Sequence, residues 1–131
     1  MTQPTTTTYA APPEKAGPHH KIMLVYDPYR ELMIALDDGK LLRDNILHLN
    51  LNDTVEFWSP QGPVHVGFKG VGFTDSKGDK LRALTSQAGS ATLTQAPTEG
   101  ARIWCGIQLN GQAYGYPHQE LDNYGIQPEI P

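Results

Sequence analysis

Apolar and polar side chains alternate between residues 46 and 57 with the period of two that is typical of a β-strand with one buried face. The apolar side chains fall on the odd positions Leu47, Leu49, Leu51, Val55 and Phe57. The pattern is interrupted at Asn52-Asp53, where we expect a turn. This segment therefore predicts two short strands that place one face of a sheet against a core.

Short apolar runs recur along the chain and are separated by Gly, Pro, Asn and Asp. The run "KIMLVYD" predicts a strand buried on both faces or packed against a partner sheet, and "ELMIAL" leads into Asp38-Gly39, a favoured two-residue hairpin turn. Further strands are expected at "ATLTQ" and "ARIWCGI", joined by the turn "APTEG", and at "QAYGY", whereas "KLRAL" suggests a single helical turn. About seven short strands in one small chain predict an all-β fold, and within that class a β-sandwich.

The chain of 131 residues has room for one domain of ordinary size. Residues 1–20 are rich in Thr and Pro and carry almost nothing apolar to bury, so they predict an extended arm or linker. We assign the sandwich to residues 21–116. Residues 117–131 contain Pro without alternation and predict an irregular tail.

Composition excludes some function classes. A formal net charge of -4, with both signs interspersed, offers no basic face for nucleic acid. No apolar run reaches the roughly 20 residues that a membrane-spanning helix requires, and the first residues lack the apolar core of a secretory signal. A single Cys excludes an internal disulfide. The sequence does not distinguish a cytoplasmic protein from the mature form of an exported one.

Two blocks of the chain resemble the cupredoxin family. "ILHLNLNDTVEFWSPQGPVHVGF" is similar to the segment that leads to the first copper His, which here is His65. "ATLTQAPTEGARIWCGIQLNGQ" is similar to the later segment that ends at the copper Cys, which here is Cys105. The resemblance implies a Greek-key β-sandwich and, in functional members, a copper ion held by two His, one Cys and an axial Met or Gln.

The ligand set that this resemblance implies is incomplete. The residues after Cys105, "GIQLNGQA", contain neither the second His nor a Met, and Gln112 alone matches an axial ligand. The next His is His118, thirteen residues beyond Cys105, and Val66 replaces the Asn that the family places beside the first His. We therefore expect no cofactor, with copper bound by His65, Cys105 and a displaced His as the alternative.

Other residues have two interpretations each. Cys105 in a strand-like run is also typical of a small buried hydrophobe, and His65 of an ordinary loop residue. His19-His20 suggest either weak metal capture or a chance pair in the arm. Trp104, Tyr114 and Tyr116 are candidates for a binding platform or for packing, and period two would put the two tyrosines on one face.

No paired carboxylates, nucleophile turn or phosphate-cradling loop is recognisable, so we do not expect an enzyme. The first hypothesis is a non-catalytic cupredoxin-like binding or assembly module, a subunit or accessory of a larger complex. Its partner would be another protein or a second copy, contacted through the N-terminal arm. The alternative is a copper protein in electron transfer or copper delivery, and the third hypothesis is a small-ligand or sugar binder.

Overall fold

A computed structural model describes residues 17–131, so most of the predicted arm, residues 1–16, lies outside the described residues. The described part contains β-strands and two short 3₁₀ turns but no α-helix. Within it, no helix has the length and apolar character needed to cross a membrane.

The strands are numbered in chain order. They are β1 (His19–Asp27), β2 (Leu32–Asp37), β3 (Lys40–Leu41), β4 (Ile46–His48), β5 (Thr54–Trp58), β6 (Val64–Lys69), β7 (Gly72–Thr74), β8 (Lys80–Leu81), β9 (Ala83–Thr85), β10 (Ala91–Gln95), β11 (Arg102–Leu109), β12 (Gln112–Gly115) and β13 (Gly125–Glu129). The 3₁₀ turns span Arg43–Asn45 and Asp122–Tyr124.

Two mixed sheets make up the domain. The first has the strand order β3-β2-β1-β5-β10-β7-β8, and the second has the order β4-β13-β11-β6-β9, with β12 paired to the end of β11. The pairs β1–β5 and β13–β4 are parallel, and the other pairs are antiparallel. Side chains from both sheets form one buried core. The prediction of an all-β domain is confirmed.

The period of two correctly identifies most of the core. Leu47, Leu49, Val55 and Phe57 are buried as expected. Leu51 instead lies in the turn before Asn52, whose φ of 76° breaks the alternation, and its side chain is 49% exposed. Of the two possibilities for "KIMLVYD", the structure shows the strand packed against the other sheet through one face, because only its even-numbered residues reach the core.

The hairpin at Asp38-Gly39 is confirmed. Asp38 and Gly39 have φ values of 51° and 80°, and Asp37 pairs with Lys40 across the turn. Positive φ at both central residues is the conformation that this two-residue turn requires.

Three segments differ from the sequence-based expectation. "ATLTQ" and "ARIWCGI" form strands, but these strands belong to different sheets, so "APTEG" connects two sheets. "KLRAL" contributes to β8 and β9 and forms no helical turn. The first strand begins inside the predicted arm, at His19.

The predicted irregular tail contains β13. Ile126 and Pro128 alternate into the buried face, and the strand lies between β4 and β11. Pro is tolerated there because the pairing with β11 involves only Gly125 and Ile126.

Candidate functional site

The two residues that carry the cupredoxin resemblance lie on neighbouring antiparallel strands. Cys105 of β11 is opposite Val66 of β6, and Gly106 is opposite His65. Val66 and Cys105 are buried in the core, whereas His65 is exposed. Because successive side chains of a strand point to opposite faces, His65 and Cys105 occupy opposite faces of the sheet. The structure does not bring them together.

Cys105 lies in an apolar environment. Its Sγ is 3.6 Å from the carbonyl oxygen of Ile103, to which it donates a weak hydrogen bond. Complete burial raises the pKa of the thiol above its ordinary value. Metal ions bind the thiolate form, so a buried neutral thiol is a poor ligand.

Gln112 and His118, the other two candidate metal ligands, share a different place. Both line a cleft of about 400 Å³ together with Tyr26, Tyr114 and Glu31. Neither His65 nor Cys105 lines this cleft. The four candidate ligands are therefore distributed over a core position, an outer sheet face and a separate cleft.

Tyr114 packs into the wall of that cleft. Its ring stacks on Tyr26 with a centroid separation of 4.5 Å, and Tyr26 also stacks on Tyr124 at 6.2 Å. Burial, followed by hydrogen bonding to Tyr124 and the charge of Glu31, raises the pKa of Tyr26 to about 12. Tyr114 therefore belongs to an aromatic stack that joins the two sheets.

Tyr116 lies away from Tyr114. Strand β12 ends at Gly115, whose φ of 81° redirects the chain. A Cβ at Gly67 would overlap the ring of Tyr116, and a Cβ at Gly106 would overlap its backbone carbonyl. The chain thus crosses the outer face of β6 and β11 directly on two glycines. The expectation that Tyr114 and Tyr116 share one face is wrong, because the turn at Gly115 interrupts the strand.

Trp104 meets Tyr116 on this outer face. They line a pocket of about 240 Å³ with Gly67, Lys69, Arg82 and Glu120, which we call the outer pocket. Two of the three predicted binding residues are therefore neighbours. Lys69, Arg82 and Glu120 were missed, but glycine inside a strand was a usable signal, because it often marks the close approach of another backbone or a ligand.

A second group that sequence reasoning missed surrounds His20. Its Nδ1 is 2.7 Å from Asp37 Oδ2, and its Nε2 is 3.0 Å from Asp53 Oδ2. Asp53 Oδ2 also accepts the N–H of Asn50 at 2.9 Å. Burial alone lowers the pKa of His20, but the hydrogen bonds and charges of Asp37 and Asp53 outweigh it and raise the pKa.

His19, the other half of the predicted pair, points elsewhere. Its Nδ1 is 2.6 Å from Thr54 Oγ1 and its Nε2 is 2.7 Å from Glu56 Oε1. The two adjacent histidines therefore face different partners. Among residues 17–131, no group of three or more His, Cys, Asp or Glu side chains is arranged to hold a metal ion.

The largest of these clefts lies where β2 and β3 of one sheet approach β11 and β13 of the other. It has a volume of about 660 Å³, and its lining includes Arg30, Leu41, Arg102 and Asp122. We call it the β2–β13 cleft. Arg102 Nε is 3.8 Å from Asp122 Oδ1, and Arg30 Nε donates to Asp27 Oδ2 at 2.8 Å.

Comparisons with family models, with curated proteins and with solved structures found no match to this chain.

Proposed function

We propose that the chain is a non-catalytic, cupredoxin-like β-sandwich that serves as a protein-binding or assembly module and holds no mononuclear copper at His65 and Cys105. The observation that carries the proposal is an exposed apolar side chain in the lining of the β2–β13 cleft. Leu41, which lines the cleft, is 66% exposed. Exposed apolar groups that cluster are typical of surfaces that bind other proteins.

Two further exposed apolar side chains are adjacent in sequence to residues that line the same cleft. Tyr29, 95% exposed, precedes Arg30, and Leu121, 52% exposed, precedes Asp122. The side-chain amide of Asn123 donates to the backbone carbonyl of Glu31, so the two segments are joined beside the cleft. The segments that carry Tyr29 and Leu121 therefore each contribute a residue to the lining of the cleft, Arg30 and Asp122.

Charged groups on this surface suit a protein interface. Arg30 and Arg102 both line the cleft, and each has an acidic neighbour, Asp27 and Asp122 respectively. Tyr and Arg are enriched in the parts of interfaces that carry most of the binding energy. The lining of the cleft combines apolar and charged groups, as protein interfaces do.

The copper alternative has less support from the geometry. The resemblance implies a ligand loop that starts at Cys105, but β11 continues to Leu109 and pairs there with β12. Residues 106–109 are therefore held in a sheet and cannot fold back as a loop. His65 would have to cross the sheet to reach the Cys105 thiol.

Copper titration tests this part of the proposal. Adding Cu(II), and separately Cu(I) followed by oxidation, should produce no intense thiolate-to-copper absorption in the visible range. The matched control is Cys105→Ala, which should give the same spectrum as the unmodified chain. A strong band that Cys105→Ala removes would contradict the proposal.

Sedimentation analysis of the full chain tests the assembly part, with a second copy as the partner, because closed homodimers are the commonest assemblies. We expect a concentration-dependent dimer whose dissociation constant rises at least about tenfold, or about 1.4 kcal/mol, in Leu41→Ser or Tyr29→Ser. Leu51→Ser is the matched control, because Leu51 is an exposed Leu in a turn away from the cleft. A monomer at every concentration, or an equal effect of Leu51→Ser, would overturn the proposed dimer.

A further inference from the structure

We propose that the outer pocket binds a small oxyanion: a carboxylate, sulfate or phosphate group, free or carried by a small molecule. This site is independent of the β2–β13 cleft and of the assembly role. It lies on the outer face of β6 and β11, and Trp104, Tyr116, Lys69 and Arg82 line it.

The first observation is a buried hydrogen-bond donor without a partner. Trp104 is 9% exposed, and its Nε1 is inaccessible to solvent and has no acceptor among residues 17–131. Buried indole N–H groups usually find a hydrogen-bond partner. The donor therefore requires an acceptor that the described part of the chain does not supply.

The second observation is the position of the Trp104 ring. Trp104 lies between Gly125 of β13 on one side and Gly67 of β6 on the other. A Cβ at Gly125 would lie 3.0 Å from Trp104 Cζ3 and 3.2 Å from its Cε3. The six-membered ring of Trp104 therefore packs against Gly125, and the same side chain lines the outer pocket.

The third observation is the charge of the pocket wall. Lys69 and Arg82 both line the pocket, and neither forms an ion pair with a carboxylate in the described residues. Glu120 supplies one carboxylate to the same wall. Two cations against one carboxylate give the pocket a local positive balance on a chain whose formal net charge is -4.

These groups determine the ligand chemistry. An indole N–H, an ammonium and a guanidinium only donate hydrogen bonds, and the hydroxyl of Tyr116 can also donate. Hydrogen bonds from charged donors to carboxylate or phosphate oxygens are the strong ones. A pocket of about 240 Å³ accommodates one such group with a small substituent. The wall therefore favours a ligand with several acceptor oxygens and a negative charge.

The indole N–H resonances in proton–nitrogen correlation spectra provide a direct test. The chain contains two Trp, so Trp58→Phe assigns the Trp104 signal. Sodium phosphate, sulfate and acetate are titrated separately at constant ionic strength, with chloride as the balancing ion. We expect a saturable downfield shift of the Trp104 signal and none for Trp58. The anion that saturates at the lowest concentration then identifies the class of ligand.

Charge substitutions show whether the pocket wall is responsible. Lys69→Gln and Arg82→Gln should each raise the dissociation constant at least about tenfold, the loss expected when a charge-assisted hydrogen bond is removed. Glu120→Gln should lower it, because a repulsive carboxylate is removed. Lys80→Gln, at the edge of the other sheet, is the matched control and should change nothing.

Three results would overturn the inference. The first is the absence of a saturable Trp104 shift with all three anions. The second is an equal response of Trp58, which indicates an adventitious ion only. The third is a Trp104 signal that shifts in Glu120→Gln without added anion and does not shift further when the anions are added, because Glu120 would then be the acceptor of the indole N–H.

Discussion

Replacing His20 should destabilise the fold by an amount that depends on pH. Both ring nitrogens of His20 lie within hydrogen-bond distance of carboxylate oxygens, on Asp37 and Asp53. Both contacts are hydrogen bonds only when both nitrogens carry protons, which is the cationic form of the ring. Replacing His20 with Gln therefore removes two charge-assisted hydrogen bonds and leaves the buried carboxylate of Asp53 with the Asn50 N–H.

The size of the effect follows from these contacts. A hydrogen bond to a charged group contributes about 1.5 to 3 kcal/mol, and partial exposure places both bonds at the lower end. The side chain of His20 is 16% exposed and that of Asp53 is 3% exposed. We expect His20→Gln to lower the free energy of unfolding by about 3 kcal/mol at pH 5.5. For a urea m-value of about 1.5 kcal/mol per M, the unfolding midpoint falls by about 2 M.

The loss should shrink as the pH rises. The pKa of His20 is raised in the folded state above its ordinary value of 6.5. A raised pKa contributes stability that is fully present below the unfolded pKa and is lost as the pH passes through the folded pKa. Once the pH exceeds the folded pKa the ring is neutral and one of the two bonds is gone, so the cost of His20→Gln should fall to about 1 kcal/mol.

Urea denaturation at pH 5.5 and pH 9 measures both values, and His19→Gln is the matched control. His19 bonds to Thr54 and Glu56, but its side chain is 45% exposed, so its replacement should cost less than about 1 kcal/mol. An equal cost of His20→Gln at both pH values, or an equally large cost of His19→Gln at pH 5.5, would contradict the assigned role of His20.

Three other tests address β11 and Tyr26. Gly106→Ala should lower the free energy of unfolding by about 3 kcal/mol, because its Cβ would overlap the backbone of Tyr116. Gly111→Ala, at an open turn, should lower it by about 1 kcal/mol, and equal losses of the two variants in chemical denaturation would contradict this. The buried Cys105 should react with a disulfide reagent only after unfolding, and fast reaction of the native chain refutes its burial. The raised pKa of Tyr26 means that stability falls between about pH 10 and pH 12, and Tyr26→Phe should flatten that fall in alkaline unfolding curves.

The sequence was informative wherever one face of a strand is buried and the turn residues fix the register. Leu47 and Leu49 in β4, Val55 and Phe57 in β5, and the turn at Asp38-Gly39 follow from period two and from residues that accept positive φ. Strand β13 was missed because its Pro128 argues against a strand. The strand forms nevertheless, because the neighbours of Pro128 are partly or fully buried and the pairing with β11 involves only Gly125 and Ile126.

The candidate site was less predictable because a spacing along the chain does not say which face of a sheet a side chain occupies. His65 and Cys105 have the order that the resemblance requires, yet a shift of one residue in register separates them across the β6–β11 pair. The contacts of Tyr116 depend on φ at Gly115, and those of His20 depend on which strands become neighbours. Such long-range pairings are not encoded in local patterns.

The glycines of β6 and β11 link the fold to the proposed oxyanion pocket. Gly67 lies opposite Trp104, and the lack of a side chain at Gly67 and Gly106 allows residue 116 to lie directly on the sheet. Tyr116 then covers the strand at the place where Trp104 keeps an unpartnered N–H. A strand optimised only for stability would favour β-branched residues at both glycine positions. The cost of two glycines is therefore better explained by what they position, a covering segment and a donor-lined pocket, than by the packing of the sheet itself.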